Sequence, residues 1–341
     1  MIFLILLFVL VWVVPIKANR ICNQREQSRF LKFIASLVVV IGHQAAYYGI
    51  NNEIFMKETS LGALCVSFFL FMSGYGLQYG FLKNKQTLSD DWLKIRMVKL
   101  IVPALTAMFL YVGAELVVGK EVDWRNLFIY WFLSDINLRY GWYVSEIIAL
   151  YVGFYFVYKY LSVKYAIWEL CAIISIVVFI MVITECPIWF ILGLPCFIMG
   201  LLLAHYEVAV NNRFFSFTGM QLKVVMSFVV LLFGCLKNFG EIQQFAPFFN
   251  KWRYMFFSLF AYNILFIIII SYILMRLPIC KVMNNNRGGY FYEVYLVQGA
   301  ALLICRKCFA DDILFVLLGL FFTLLVAKGM SFINDRIISN I

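Results

Sequence analysis

The 341 residues are 64% hydrophobic and 13% charged, and their mean hydropathy is +0.91. A soluble domain carries about a quarter charged residues, so this composition excludes one and reads as a polytopic membrane protein. The net charge of +10 is no nucleic-acid signature, because the basic residues sit in short loops beside apolar runs, as membrane flanks do. The nine cysteines fall mostly inside apolar runs, and Cys305-Arg-Lys-Cys308 stands without a second pair or a neighbouring His. No metal site and no redox motif is therefore expected.

In chain order, Met1–Ile16 is apolar but shorter than the roughly 20 residues a span requires. It lacks the basic start and cleavage site of a signal peptide, so residues 1–20 read as a separate, short or tilted helix. Ten further spans follow, at about 33–50, 61–82, 100–118, 141–158, 165–184, 187–204, 222–240, 255–275, 288–305 and 313–333. The expected fold is all-α, a transmembrane helix bundle over residues 29–336, undivided by any Pro/Gly/Ser linker and without an internal repeat. The stretch Asp123–Arg139 has charged ends around a brief aromatic run and reads as an amphipathic segment at the outer interface. Most Lys and Arg lie on the side of Lys17–Lys32, which predicts a cytoplasmic C-terminus.

His43 is one of only two histidines and lies inside an apolar run. An ionisable group in a span is expensive and is a functional hypothesis by default. Lys32 precedes it by almost three helical turns, about 16 Å along the axis. Arg29, Lys32, Ser36, His43 and Tyr47 share a helical sector of about 60°. Such a stripe suits a wetted wall admitting a long anionic ligand, its phosphates at Lys32 and its reactive end near His43. The plainer alternative is a polar face buried against neighbouring helices.

Arg96 and Lys99 share one face and precede Pro103. They could hold phosphate through charge-assisted hydrogen bonds, or serve only as positive-inside flanks. Glu115, Glu146, Glu169 and Glu293 fall within spans. Glu146 follows Trp142-Tyr143 near the outer end of its helix, and Glu293 lies in Tyr290-Phe-Tyr-Glu-Val-Tyr295. Either could orient His43 or a substrate hydroxyl, or merely brace helices. His205 reads as a solvated cap at a cytoplasmic helix end. Ser73-Gly74-Tyr75 is too apolar in context for a hydrolase elbow, and its glycines more simply allow close helix packing.

Five ordered segments between about residues 29 and 300 resemble the membrane-bound acyltransferase 3 family. They are Phe30–His43, Phe68–Gly76, Arg96–Lys99 with Pro103, Trp142-Tyr143 with Tyr151, and Gly289–Gln298. Lys32 and Lys99 stand where that family usually has Arg, Arg29 where an acidic residue is common, and Gln298 where many members have His. Lysine keeps the charge but loses the bidentate fork.

The resemblance implies an O-acyltransferase that takes an acyl group, most often acetyl, from cytoplasmic acetyl-CoA as co-substrate. The acceptor implied is a hydroxyl of a cell-surface or lipid-linked carbohydrate. In that reading His43 is the base, supported by Glu146, and Lys32, Ser36, Arg96 and Lys99 bind CoA. Tyr47, Ser73, Trp142, Tyr143, Glu293 and Tyr295 would line the acceptor's place. The partners implied are a glycan or glycolipid, the bilayer of a bacterial inner membrane and, optionally, further copies of the chain; no nucleic acid is among them. The competing function is a transporter or flippase for a lipid-linked sugar or organic anion, which the same stripe and basic mouth would serve.

Overall fold

In the computed structural model the described residues are 2–15, 25–47, 60–84, 87–122, 141–214, 219–239, 251–274, 276 and 290–341. They form eleven α-helices and one short 3-10 turn, with no strand among them. The helices are α1 (Ile2–Val13), α2 (Arg25–Tyr47), α3 (Ser60–Lys83), α4 (Trp92–Val118), α5 (Trp142–Tyr160) and α6 (Ala166–Ile183). After the turn at Ile188–Phe190 come α7 (Leu194–Phe214), α8 (Gly219–Phe239), α9 (Lys251–Leu274), α10 (Phe291–Cys308) and α11 (Asp312–Ser339).

Each of the ten expected spans coincides with a helix, and six candidate segments among the described residues are long and apolar enough to cross a membrane. The chain is thus a multi-pass membrane protein, although ten crossings are more than length and composition support. Helix α9 counts only as a shorter apolar stretch over Leu259–Leu274, and helices α2, α5 and α10 are also outside the six. The latter three carry Lys32 and His43, Glu146, and Glu293 and Gln298, the polar groups that dilute their apolar character.

The described residues group into two compact units assembled from separate stretches of chain, which is why no linker composition announces them. The first comprises Met1–Leu31, Val66–Thr87 and Cys171–Asn286. Its α3 and α7 cross where Gly74 meets the Phe197 carbonyl and Gly200 meets the Phe71 carbonyl. A Cβ at either glycine would collide with backbone, so the small residues set the approach of the two helices. Ser67 donates to Asn263 Oδ1 at 2.6 Å, tying α3 to α9.

The twelve-residue α1 is only about 18 Å long, well short of a bilayer core. It is fastened to α8 instead: Trp12 Nε1 donates to Ser227 Oγ at 3.0 Å, and Lys223 Nζ donates to the Trp12 carbonyl at 2.5 Å. That carbonyl belongs to the last turn of α1, where backbone acceptors lack helical donors.

The second unit comprises Lys32–Cys65, Leu88–Leu170 and Arg287–Ile341. Helix α10 packs on α4 and α11, and α4 also packs on α5 and α11. Pro103 removes the N–H that would pair with the Lys99 carbonyl four residues earlier. The loosened ladder is braced from both sides. Thr106 Oγ1 lies 3.1 and 2.9 Å from the Val102 and Pro103 carbonyls and 2.8 Å from Asn334 Oδ1 of α11, acceptors that share its one proton. Tyr292 of α10 donates to the Leu100 carbonyl at 3.2 Å.

At the far end, α4 closes on Gly119, whose φ of 80° is left-handed and suits a residue without Cβ. Lys307 Nζ donates to the Val117 and Val118 carbonyls at 3.2 and 3.0 Å, so a cation of α10 satisfies the C-terminus of α4. The two helices therefore run in the same direction. Helix α11 starts on Asp311, whose side chain accepts from Leu314 N at 2.8 Å.

Candidate active site

All the expected site residues except Ser73 belong to the second unit. Helix α2 is set there by two consecutive residues. His43 Nδ1 meets Gln298 Oε1 of α10 at 3.0 Å. Gln44 Nε2 donates to the Phe315 and Val316 carbonyls of α11 at 3.3 and 3.2 Å. Adjacent helical side chains diverge by about 100°, so one residue faces each partner helix and the rotation of α2 is determined. Gly319 makes room for the Gln44 amide, and Gly299, next to Gln298, makes room for the Tyr111 hydroxyl of α4.

The opposite end of this face is basic and aromatic. Lys32 Nζ lies 5.4 Å from the Phe291 ring centre, and Phe33 meets Tyr290 edge to face at 5.8 Å. Helices α2 and α10 thus share direction, with Lys32 at the start of α10 and His43 beside its middle. Arg96 lies over Trp92 at 5.5 Å, and Lys99 is exposed. Because Tyr292 bonds Leu100, the first turn of α10 has Lys32 on one side and the Lys99–Leu100 turn of α4 on another. Three cations accordingly gather at one end of the unit.

Helix α5 sits lower against α10 than an outer helix end would. Tyr143 meets the Tyr295 ring edge to face at 5.1 Å, which brings the start of α5 beside the second turn of α10. Trp92 stacks on Phe154 at 5.6 Å and on Tyr155 at 6.1 Å, so α5 and α4 are antiparallel. The descent along α5 from Tyr143 to Phe154 is about 16 Å, and so is the descent from Tyr295 through Tyr292 and Leu100 to Trp92. Trp142 and Tyr143 hence lie one turn from Gln298, nearer the basic end than their place after an outer loop suggested. The loop preceding α5, including the Trp124–Arg139 segment, lies outside the described residues.

Glu146, one turn further along α5, is 9% exposed, and neither carboxylate oxygen has a hydrogen-bond partner among the described residues. A buried polar group is ordinarily paired, and each exception asks for an explanation. Glu293 faces Asn334 and Asp335 of α11, at the end of the unit where Lys99 lies. Ser36 is fully buried and donates to the Phe33 carbonyl at 2.7 Å, so its proton is committed within α2. Tyr47 ends α2, and its side chain lies outside the described residues. Ser73 is half-buried in the first unit beside Gly74, at the close crossing of α3 and α7.

His205 is no helix cap. Helix α7 continues to Phe214, and the imidazole Nδ1 meets Gln78 Nε2 at 3.2 Å. Polar Asn211, Asn212 and Arg213 extend the helix beyond the apolar run that marked its expected end. Gln44 was absent from the expected site; its place next to His43 was the available signal. Cys305 and Cys308 are both free thiols.

The arrangement presents an imidazole held by a buried amide, with an aromatic wall of Tyr143 and Tyr295 one turn away and cations at the end of the same face. It offers a proton acceptor inside a helix bundle and an anchoring point for an anion at its edge. No curated protein and no solved structure matches the sequence. A family model described as an acyltransferase domain matches residues 27–329. That match includes the His43-bearing part of α2, Arg96 and Lys99 of α4, α5, and the whole of α10. The chain belongs to the acyltransferase 3 family.

Proposed function

We propose that this membrane acyltransferase transfers an acyl group, acetyl in the simplest case, from cytoplasmic acyl-CoA to a hydroxyl of a cell-surface or lipid-linked carbohydrate. The observation that carries the proposal is His43, fastened to Gln298 on the helix face whose other end holds Lys32. That face has the length and polarity for a donor with phosphates at one end and a thioester at the other. Lys32, Arg96 and Lys99 receive the phosphates, which puts the basic end and the C-terminus of α11 in the cytoplasm. The acceptor comes from the opposite side of a bacterial inner membrane and meets the donor at His43, while Trp142, Tyr143 and Tyr295, one turn nearer the basic end, line the donor's path.

His43 removes the proton of the acceptor hydroxyl as its oxygen attacks the thioester carbonyl. The C–S bond then breaks, and the departing thiolate takes the proton back from the imidazolium. Positioned proton transfer of this kind contributes roughly 10²–10⁴-fold in rate. Glu146, buried and without a hydrogen-bond partner among the described residues, lies a further turn toward the basic end and would take a hydrogen bond from the arm of the bound donor. The test supplies membranes containing the protein with acetyl-CoA labelled in the acetyl group. Label should pass to a glycan or glycolipid with the wild-type chain and not with His43→Ala. Equal labelling by both would overturn the mechanism, and labelled-sugar counterflow without any acyl-CoA would favour a transporter.

A further inference from the structure

Gln298 occupies a position where a histidine resembling those of other family members could either donate or accept. The glutamine is less ambiguous. Its Nε2 donates to the Tyr295 carbonyl at 2.8 Å, and a carbonyl oxygen can only accept. Turning the amide over would set Oε1 against that carbonyl, two acceptors face to face in a fully buried place. Oε1 is therefore the atom presented to His43, and it too can only accept. The 3.0 Å contact then requires the proton to reside on His43 Nδ1. The setting is rigid: Gln298 is 0% exposed, it lies one turn from the Tyr143–Tyr295 ring pair, and Gly299 admits Tyr111 directly beside it.

We propose that Gln298 is a positioning residue that keeps the His43 proton on Nδ1 and so makes Nε2 the nitrogen that accepts the acceptor's proton. The inference rests on the reading of His43 as the base. Its structural half, the tautomer, stands apart from any substrate. During transfer the Nδ1–H bond to Gln298 persists, Nε2 gains the hydroxyl proton, and the thiolate later removes that same proton. A neutral amide differs here from a carboxylate partner: it orients the ring without adding a charge to the imidazolium that forms.

The chain has only two histidines, which makes a direct measurement practical. His205→Asn leaves one imidazole, and ring-¹⁵N histidine labelling of the detergent-solubilised full chain then reports which nitrogen is protonated, through its couplings to the ring protons. The expected result is Nδ1–H in the parent, a shift toward the Nε2–H form in Gln298→Leu, and retention of Nδ1–H in Gln298→Glu. A neutral glutamic acid can still offer a carbonyl oxygen to Nδ1–H while donating to Tyr295. Acyl transfer should fall about 10²-fold in kcat for Gln298→Leu, with little change in the donor KM, and recover in part in Gln298→Glu. An Nε2–H parent, or a tautomer indifferent to Gln298→Leu, overturns the proposal. If no acyl transfer is found in any variant, the reading of function fails while the tautomer measurement still decides the role of Gln298.

Discussion

Gln44 reaches the Phe315 and Val316 carbonyls through the space that Gly319 leaves open: a Cβ on Gly319 would stand 2.6 Å from Gln44 Nε2. The contact sets α2 against α11, and the next residue toward the N-terminus is His43. Gly319→Ala gains about 1 kcal/mol of helix propensity and displaces an amide whose two hydrogen bonds contribute about 1–3 kcal/mol together. These partly offset, leaving a net loss of about 0–2 kcal/mol, so the melting temperature should fall modestly while acyl transfer falls clearly. Gly200→Ala, at a backbone-to-backbone crossing in the first unit, should instead lose about 1–3 kcal/mol of stability. Thermal unfolding in detergent together with labelled-acetyl transfer separates the two behaviours.

His43→Ala should lower kcat by about 10²–10⁴-fold, and losing the hydrogen bond to the buried Gln298 should cost about 1–3 kcal/mol of stability without preventing insertion. Initial rates at saturating donor check it. A wild-type rate removes His43 from the chemistry.

Glu146→Leu should raise stability and lower activity. The carboxyl group is buried without a hydrogen-bond partner among the described residues, and an apolar side chain of similar size removes that unsatisfied polar group. The expected loss of rate reflects a group kept for substrate at the expense of the fold. Unfolding temperature and kcat, measured on one preparation, should move in opposite directions.

Lys32→Ala, Arg96→Ala and Lys99→Ala should each raise the donor KM severalfold with kcat little changed, since phosphate contacts far from the reacting carbonyl bind ground state and transition state alike. The wild-type KM should climb with added salt, and the triple variant should have lost most of that dependence. A salt response unchanged by the three substitutions would take them out of donor binding.

Lys159 Nζ and Asp90 Oδ1 pair at 2.6 Å outside the spans, and the hydrogen bond to Lys159 holds the Asp90 carboxyl below its ordinary range. A lowered carboxylate pKa contributes stability that is present above the unfolded value and lost as pH falls through the folded one. Asp90 is fully exposed, so solvent screens the pair. Asp90→Asn should therefore leave the unfolding temperature at neutral pH unchanged within error and remove only a slight acid-side slope.

Hydropathy located a helix near each of the ten expected positions after α1, although among the described residues only six segments are long and apolar enough to cross a bilayer. Charge periodicity put Lys32 and His43 on one face, since 3.6 residues per turn is a property of the backbone and needs no partner. The motif order resembled the family that the match over residues 27–329 established.

Which helix that face meets was not legible, because a period says which residues look the same way and nothing about what stands opposite. Tertiary packing decided that His43 faces Gln298, that Gln44 braces α11, and that α5 begins beside Tyr295 at a helix turn's distance from both. It decided Ser36 as well, whose hydroxyl is held by its own helix. Above all, the nitrogen of His43 that carries the proton depends on a carbonyl at Tyr295, more than 250 residues away in the chain, acting through the amide of Gln298. Hydrogen-bond direction belongs to groups already in place; only the folded arrangement brings them there.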